Sequence, residues 1–448
     1  MSNKTKACAT KDGGQPALVP KLRFPEFRGA KGWEIKPMGK VYTFKGNNSL
    51  SREKLNYESG SLKNIHYGDI HTKFSTHFDI KKEIAPYINS SEPVEVFKAE
   101  NLCIEGDMIF ADASEDLKDI GKAIEIVRLN GEAVVSGLHT ILARQTEADL
   151  VLGFGGHLFK SKWVRIQIQK ESQGTKVLGL SGGRLAKIKI PFPQSPKEQQ
   201  KIAECLSSVD RLIAAQARKV NALKTHKKGL MQQLFPREGE TQPRLRFPEF
   251  RDSGEWQKRK ISALLMKAVS PVNVDSSTTY QEIGIRSHGK GIFHKEPISG
   301  KVLGEKRVFW VEEDAFVLNI VFAWEQAVAV TSAAEKGMIA SHRFPMFKAR
   351  PSKADVNFIK YFFLTKKGKE LLGIASPGGA GRNKTLGQKD FENLEFLSPS
   401  AVEEQEEIAN FLSSLDTLIT IQSQNIDDLK SHKKGLMRQL FPSLEEEL

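Results

Sequence analysis

The heptapeptide Leu22-Arg-Phe-Pro-Glu-Phe-Arg28 recurs unchanged as Leu245-Arg-Phe-Pro-Glu-Phe-Arg251. A second pair does nearly the same: His226-Lys-Lys-Gly-Leu-Met231 with Gln233-Leu-Phe-Pro236 returns as His432-Lys-Lys-Gly-Leu-Met437 with Gln439-Leu-Phe-Pro442. The chain therefore holds two copies of one unit, head to tail, and its fold must be one that can be built twice. The frame repeats, but its contents do not. Leu22 and Leu245 lie 223 positions apart and Glu198 and Glu404 lie 206 apart, so the second body is 17 residues shorter. The first body centres on Asn64-Ile-His-Tyr-Gly-Asp-Ile-His-Thr72, the second on Gly284-Ile-Arg-Ser-His-Gly-Lys-Gly291, and no convincing run is shared between them. Two different readers in one kind of holder is the arrangement this predicts.

Each copy closes with a long helix. Ser195-Pro-Lys-Glu198 and Ser400-Ala-Val-Glu403 have the spacing of capping boxes, the first with proline at the first helical position. Ile202, Leu206, Val209, Ile213, Val220, Leu223, Leu230 and Leu234 then follow in steps of four and three, a heptad seam interrupted at Gln216 and Lys227. The second seam is Ile408, Leu412, Leu415, Ile419, Ile426, Leu429, Leu436 and Leu440, interrupted at Gln422 and Lys433, the same heptad places. Roughly 40 helical residues make about 60 Å, more than one globule can cover with so narrow a stripe. Matched interruptions favour pairing of the two helices with each other, antiparallel, as a spacer; pairing with a sister chain is the other reading. Lys227-Lys228 and Lys433-Lys434 suit either phosphate contacts or a solvated helix face.

The bodies read as mixed α/β (α+β). Val134-Val135, Ile141-Leu142, Val164–Ile168, Ala315–Phe322 and Ala327–Val330 have strand character, Asn101–Phe110 reads as strand, Gly-Asp turn, strand, and Val356 to Leu372 reads as a helix. The expected organisation is a mobile tail over 1–17, a first domain over 18–194, a helix over 195–236, and a linker over 237–244. A second domain over 245–399, a helix over 400–442 and an acidic tail over 443–448 complete it.

Polar loops are where chemistry is expected. His66, Asp69, His71 and Lys73 offer donors and acceptors for base edges, as do Arg286, His288 and Lys290 in the second body. Arg184 stands in the turn that closes the first body. Ser376–Thr385 resembles a phosphate-cradling loop but has Asn383 where glycine should precede the lysine; Arg382, Asn383 and Lys384 fit DNA contacts, or the loop is a structural turn. His66, His71 and His77 near Asp69 and Asp79 have no zinc-module spacing, so no metal is expected. Asp112, Ser114, Glu115 and Asp116 suit capping or orienting roles. No Walker, Rossmann, HExxH or nucleophile-elbow pattern appears, nor an Asn/Asp-Pro-Pro-aromatic quartet for adenine methyl transfer; no catalytic residue is expected. A formal charge of +13 points to an acidic partner such as nucleic acid. Three cysteines without CxxC spacing, and no apolar run of membrane-spanning length, make a cytoplasmic protein the expectation.

From about Leu18 onward the chain resembles the specificity subunits of type I restriction–modification enzymes. The carriers are the doubled Leu-Arg-Phe-Pro-Glu-Phe openings, the Glu198-Gln199…Ile202-Ala203 and Glu404-Gln405…Ile408-Ala409 helix starts, and the Lys-Lys-Gly-Leu-Met…Gln-Leu-Phe-Pro ends. Gly106-Asp107 and the loop around Gly378 are also similar to that family's recognition domains. The resemblance implies that each body is a target recognition domain for half of a bipartite, non-palindromic double-stranded DNA site. It implies two modification subunits bringing S-adenosylmethionine for adenine N6 methylation, and two restriction subunits using ATP and magnesium. This chain itself would bind no cofactor. A coiled-coil adaptor for other proteins and a lone nuclease are the competing readings.

Overall fold

The computed structural model describes residues 18–93, 97–378 and 384–443. The chain divides into two compact units, Met1–Ala215 with Asn425–Leu448, and Gln216–Gln424. The long helices run Pro196–Leu234 and Val402–Leu440, so each gives one half to each unit. No helix among the described residues is long and apolar enough to cross a membrane.

In the first unit the central sheet has the order Tyr42–Lys45, Thr140–Gln145, Met108–Ala111, Ala123–Arg128, His77–Asp79, antiparallel except for the last pair. Alternate residues of Met108–Ala111 serve different cores. Met108 and Phe110 join the cluster that reaches the long helices, while Ile109 and Ala111 join a second cluster with Ile65, Ile70 and Phe78. A strand buried on both faces reads as an unbroken apolar run. The second unit repeats this with Leu265–Ala268, Met346–Ala349, Phe316–Leu318 and Val328–Val330, where Phe316 and Leu318 face one core and Val317 the other.

The repeated heptapeptide is a clamp. Arg23 donates from Nε and Nη2 to both carboxylate oxygens of Glu198 at 2.7 Å, and Trp33 Nε1 adds a bond of 3.3 Å. Arg246, Trp256 and Glu404 do the same at 2.8, 2.7 and 3.1 Å. The next residue in each copy holds the body: Gln199 bonds Val151, Asp149 and Pro193 backbone groups, and Gln405 bonds Asp355, Lys353 and Pro399. Ser195 Oγ accepts from the Glu198 N–H at 3.4 Å. The reciprocal half of that box is missing because Arg23 occupies the carboxylate. In the second copy it is Glu404, and not Glu403, that takes the clamped place.

Within each unit the helices pack antiparallel. Ile202, Ala203 and Leu206 share a core with Leu436, Met437, Leu440 and Phe441; Leu230, Met231, Leu234 and Phe235 share one with Ile408, Ala409 and Leu412. The pairing is therefore intramolecular. Val209 and Val220 are buried, whereas Ile213, Leu223, Leu415, Ile419, Ile426 and Leu429 are half-buried, because two helices alone cannot enclose a seam. The interruptions are partnered: Lys433 with Asp210 at 2.6 Å, Lys227 with Asp416 at 2.5 Å, and Gln216 with Gln422. Lys227 and Lys433 thus face the partner helix, while the adjoining Lys228 and Lys434 are exposed.

Four local expectations are corrected. Val164–Ile168 lies inside a helix, Lys162–Glu171, with Trp163, Val164 and Ile168 inward; five residues of apparent alternation also fit one helix face. Only the second half of Asn101–Phe110 is a strand, and Ala315–Phe322 leaves the sheet after Leu318. The expected helix from Val356 breaks into Val356–Leu364 and Lys366–Ile374, with Thr365 Oγ1 capping the second.

Equivalent helix residues meet different groups in the two bodies. Ser413 and Asp416 bond the hydroxyl of Tyr361. Ser207 instead meets His157 Nε2 at 3.1 Å, whose ring lies edge-on to His77 at 4.6 Å. Burial holds both imidazoles below their ordinary pKa, with His77 adding to the effect on His157. The neighbouring Glu125 is pushed up to about 7 by burial, against bonds from the Gly156 and Gly153 N–H groups.

Two predictions follow from these contacts. Arg23→Ala leaves a buried carboxylate uncompensated and should cost roughly 3–5 kcal/mol; hydrogen exchange should speed up in 196–215 and remain unchanged in 402–424. His157 stays neutral when folded, so its contribution is complete above pH 6.5 and is lost as pH falls through that value, whereas Glu125 acts in the opposite sense between about 7 and its ordinary 4.5. The comparison that isolates the histidine is His157→Phe. Below pH 6.5 urea unfolding should show the stability of the wild type falling more steeply than that of the variant, by up to about 1.4 kcal/mol per pH unit.

Candidate nucleic-acid interface

The Asn64–Thr72 segment folds as the end of a strand, Lys63–Ile65, followed by a short helix, Tyr67–Thr72. His66 caps that helix, its Nδ1 accepting from the Gly68 N–H at 3.2 Å, and its ring lies 4.7 Å from that of Tyr67. Burial, with the Arg52 charge nearby, holds His66 below the ordinary imidazole pKa. Asp69 is fully buried and takes Arg52 at 2.7 and 3.0 Å and Lys73 at 3.0 Å. Burial alone would raise its carboxyl, but the bonds from Arg52 and Lys73 outweigh that and hold it low.

Asp69 thus works from below, as the anchor for two cations whose side chains remain about half exposed. Lys73 also donates to the Tyr57 hydroxyl at 2.6 Å and lies over its ring. Arg52, Tyr57 and Lys73 form the outer layer; His66 and Asp69 orient it. Neither Arg52 nor Tyr57 was marked by the sequence, because their partners are 17 and 16 residues away and no local spacing links them. His71 turns inward, Nε2 meeting the Ala113 carbonyl at 3.0 Å. His77 and Asp79 lie apart from this cluster in the sheet, and no group of three or more metal-ligating side chains forms among the described residues.

Arg184 is tied to Glu171, donating to its backbone carbonyl at 3.0 Å. In the second body Arg286, His288 and Lys290 lie on the exposed turn of a hairpin, Ile283–Ile285 with Ile292–His294. His288, Gly289 and Gly291 have φ of 61°, 64° and 79°, the left-handed region that lets the turn close. The turn is docked rather than loose: the N–H groups of His288 and Gly289 donate to the Glu325 and Gln326 carbonyls. Arg286 lies over Phe293. Lys384 lies 5.5 Å over Trp324, whereas Arg382 and Asn383 fall outside the described residues.

The turn at Asn319–Gln326 has a second side that sequence reading missed. There Lys295, Lys306, Asn319, Phe322, His342 and Arg343 line a cleft of about 340 Å³. Glu282, nearly buried, anchors Lys306 at 2.5 Å and Lys295 at 3.3 Å. Three cations against one carboxylate leave the cleft positive, with the Phe322 ring exposed beside them. The arrangement repeats the first body's device, a buried acid holding cations toward solvent. It suits a polyanion with flat, hydrogen-bonding edges.

Comparison with known proteins gives a consistent family. The profile described as type I restriction modification DNA specificity domain matches residues 30–225 and 312–431. The putative type I restriction enzyme MjaX specificity subunit of Methanocaldococcus jannaschii is 24% identical over 424 residues, 91% of this chain and 92% of that protein. The MjaVIII specificity subunit of the same organism is 23% identical over 296 residues, covering 61% and 66%. The crystal structure of a type I restriction–modification S subunit from M. genitalium superposes with a TM-score of 0.56 at 13% identity, covering 95% of this chain and all of that one. A chain from a study of assembly and conformational transition of the type I system superposes at 0.52 with 15% identity, again covering 95% and 100%.

Proposed function

Since the chain belongs to the type I restriction–modification DNA specificity family, we propose that it selects the DNA site of such a complex, each body reading one half of an asymmetric bipartite duplex sequence. The observation that carries this is the combination of one frame and two fillings. The clamps Arg23–Glu198 and Arg246–Glu404 are the same, while the outward polar layers, Arg52/Tyr57/Lys73 and Arg286/His288/Lys290, are chemically unlike. Equal holders with unlike surfaces suit unlike half-sites.

In this reading the paired helices set the unread gap. Lys227–Asp416 and Lys433–Asp210 resist sliding of one helix along the other, since a shift of one turn would strand each lysine among apolar seam residues. Modification subunits, carrying S-adenosylmethionine, and restriction subunits, carrying ATP and magnesium, dock on the helical regions. This chain contributes selection and no bond-breaking step. Phosphate contacts would supply much of the affinity, so binding should fall steeply with salt.

The test is base-resolution methylation mapping in cells that carry the chain with its cognate modification subunit, against cells lacking only this chain. The expected result is an N6-methyladenine motif of two unlike halves with a fixed gap. Exchanging residues 30–190 for those of another such chain should change one half alone. If no motif depends on the chain while the modification subunit is active and bound, the adaptor reading replaces this one.

A further inference from the structure

The two bodies share no convincing run of sequence, yet their sheets can be aligned residue by residue on their own ladders. Tyr42 follows the short helix Met38–Val41 and pairs with Gln145; Leu265 follows Ile261–Leu264 and pairs with Ala349. Six residues back along each return strand stand His139 and Arg343. Independent bonds give the same equivalence. The Asp112 N–H donates to the His139 carbonyl at 3.0 Å and the Leu180 N–H to the Asp112 carbonyl at 2.8 Å. In the second body the Ile320 N–H donates to the Arg343 carbonyl at 3.0 Å and the Leu386 N–H to the Ile320 carbonyl at 2.8 Å. One backbone socket recurs, and it presents different side chains.

Both side chains are aimed outward. His139 has φ of 54° and a half-exposed ring. Asp112 holds its Nδ1 at 3.2 Å and Tyr67 meets it edge-on at 5.2 Å, so the ring is oriented while Nε2 has no protein partner among the described residues. The Arg343 guanidinium is exposed, lines the positive cleft, and is held by no carboxylate, carbonyl or ring among the described residues. Beside it, Asn319 Oδ1 accepts from the Val321 N–H at 3.1 Å, which leaves the amide N–H groups for the cleft.

We propose that this socket is the base-reading position of each body, occupied by His139, positioned by Asp112, in the first and by Arg343, with Asn319 beside it, in the second. The inference rests on the DNA reading above and adds the residues that choose the bases. A guanidinium offers two parallel donors that match O6 and N7 of guanine, so the half read by the second body should contain a guanine contacted by Arg343. A neutral imidazole that donates its Nδ1–H to Asp112 presents Nε2 as an acceptor, matching the exocyclic amino group of adenine or cytosine.

The experiment is methylation mapping, with the cognate modification subunit, of Arg343→Ala, His139→Gly and Asp112→Asn; glycine keeps the positive φ accessible. Arg343→Ala should lose discrimination at one base pair of one half by roughly ten- to a hundredfold. His139→Gly should do so at one base pair of the other half, and Asp112→Asn should weaken the same position as His139→Gly. In each case the untouched half reports that the complex is folded and assembled. An unchanged motif, or a uniform loss at all positions, overturns the assignment while leaving the specificity reading intact. A wild type without any bipartite motif sinks both.

Discussion

Everything in this protein hangs from two buried carboxylates. Glu198 and Glu404 are about 1% exposed, and an ionised carboxylate at that depth is tolerated only when its oxygens are filled. A forked arginine and a tryptophan N–H fill them in each copy, which joins the opening heptapeptide to the start of the long helix. The body's first and last strands meet at the same place: Glu34–Pro37 pairs with Lys189–Phe192, and Gln257–Lys260 with Glu395–Ser398. Both ends of each body are therefore fastened together, and what lies between them is free to differ. That is how one frame accepts two bodies 17 residues apart in length and unlike in sequence.

The helices carry the same logic. Leucine and isoleucine make them stick, but an apolar seam alone tolerates a shift by a turn or a heptad. The polar interruptions remove that freedom, because Asp210, Asp416 and Gln422 stand where Lys433, Lys227 and Gln216 need them. Where the bodies press on the helices the partners diverge, Tyr361 on one side of the repeat and His157 on the other, although Ser207 and Ser413 are equivalent.

At the surface, acids act as supports. Asp69 holds Arg52 and Lys73, Glu282 holds Lys295 and Lys306, and Asp112 holds His139. A long cation left free would lose more side-chain entropy on meeting a ligand than one already held. Asp69, expected among the base-reading groups, is instead fully buried and holds Arg52 and Lys73.

The repeat, the two long helices, their heptad seams and the presence of two unlike mixed bodies were all legible in the chain, because each depends on residues close in sequence or repeated at a constant offset. The motif at Asn64–Thr72 was also visible, being a dense local run of polar groups. Val164–Ile168 was misread because five residues satisfy a strand and a helix face alike, and only the packing of Trp163 and Ile168 decides between them. Glu198 was legible as a cap and not as a clamp, since Arg23 reaches it across 175 residues. Arg52, Asn319, His139 and Arg343 were invisible for the same reason. Sequence by itself determined the frame, through local periodicity and repetition; tertiary structure decided which polar groups are sunk as supports and which are left facing out, because burial and pairing are set by strands that meet only in the folded sheet.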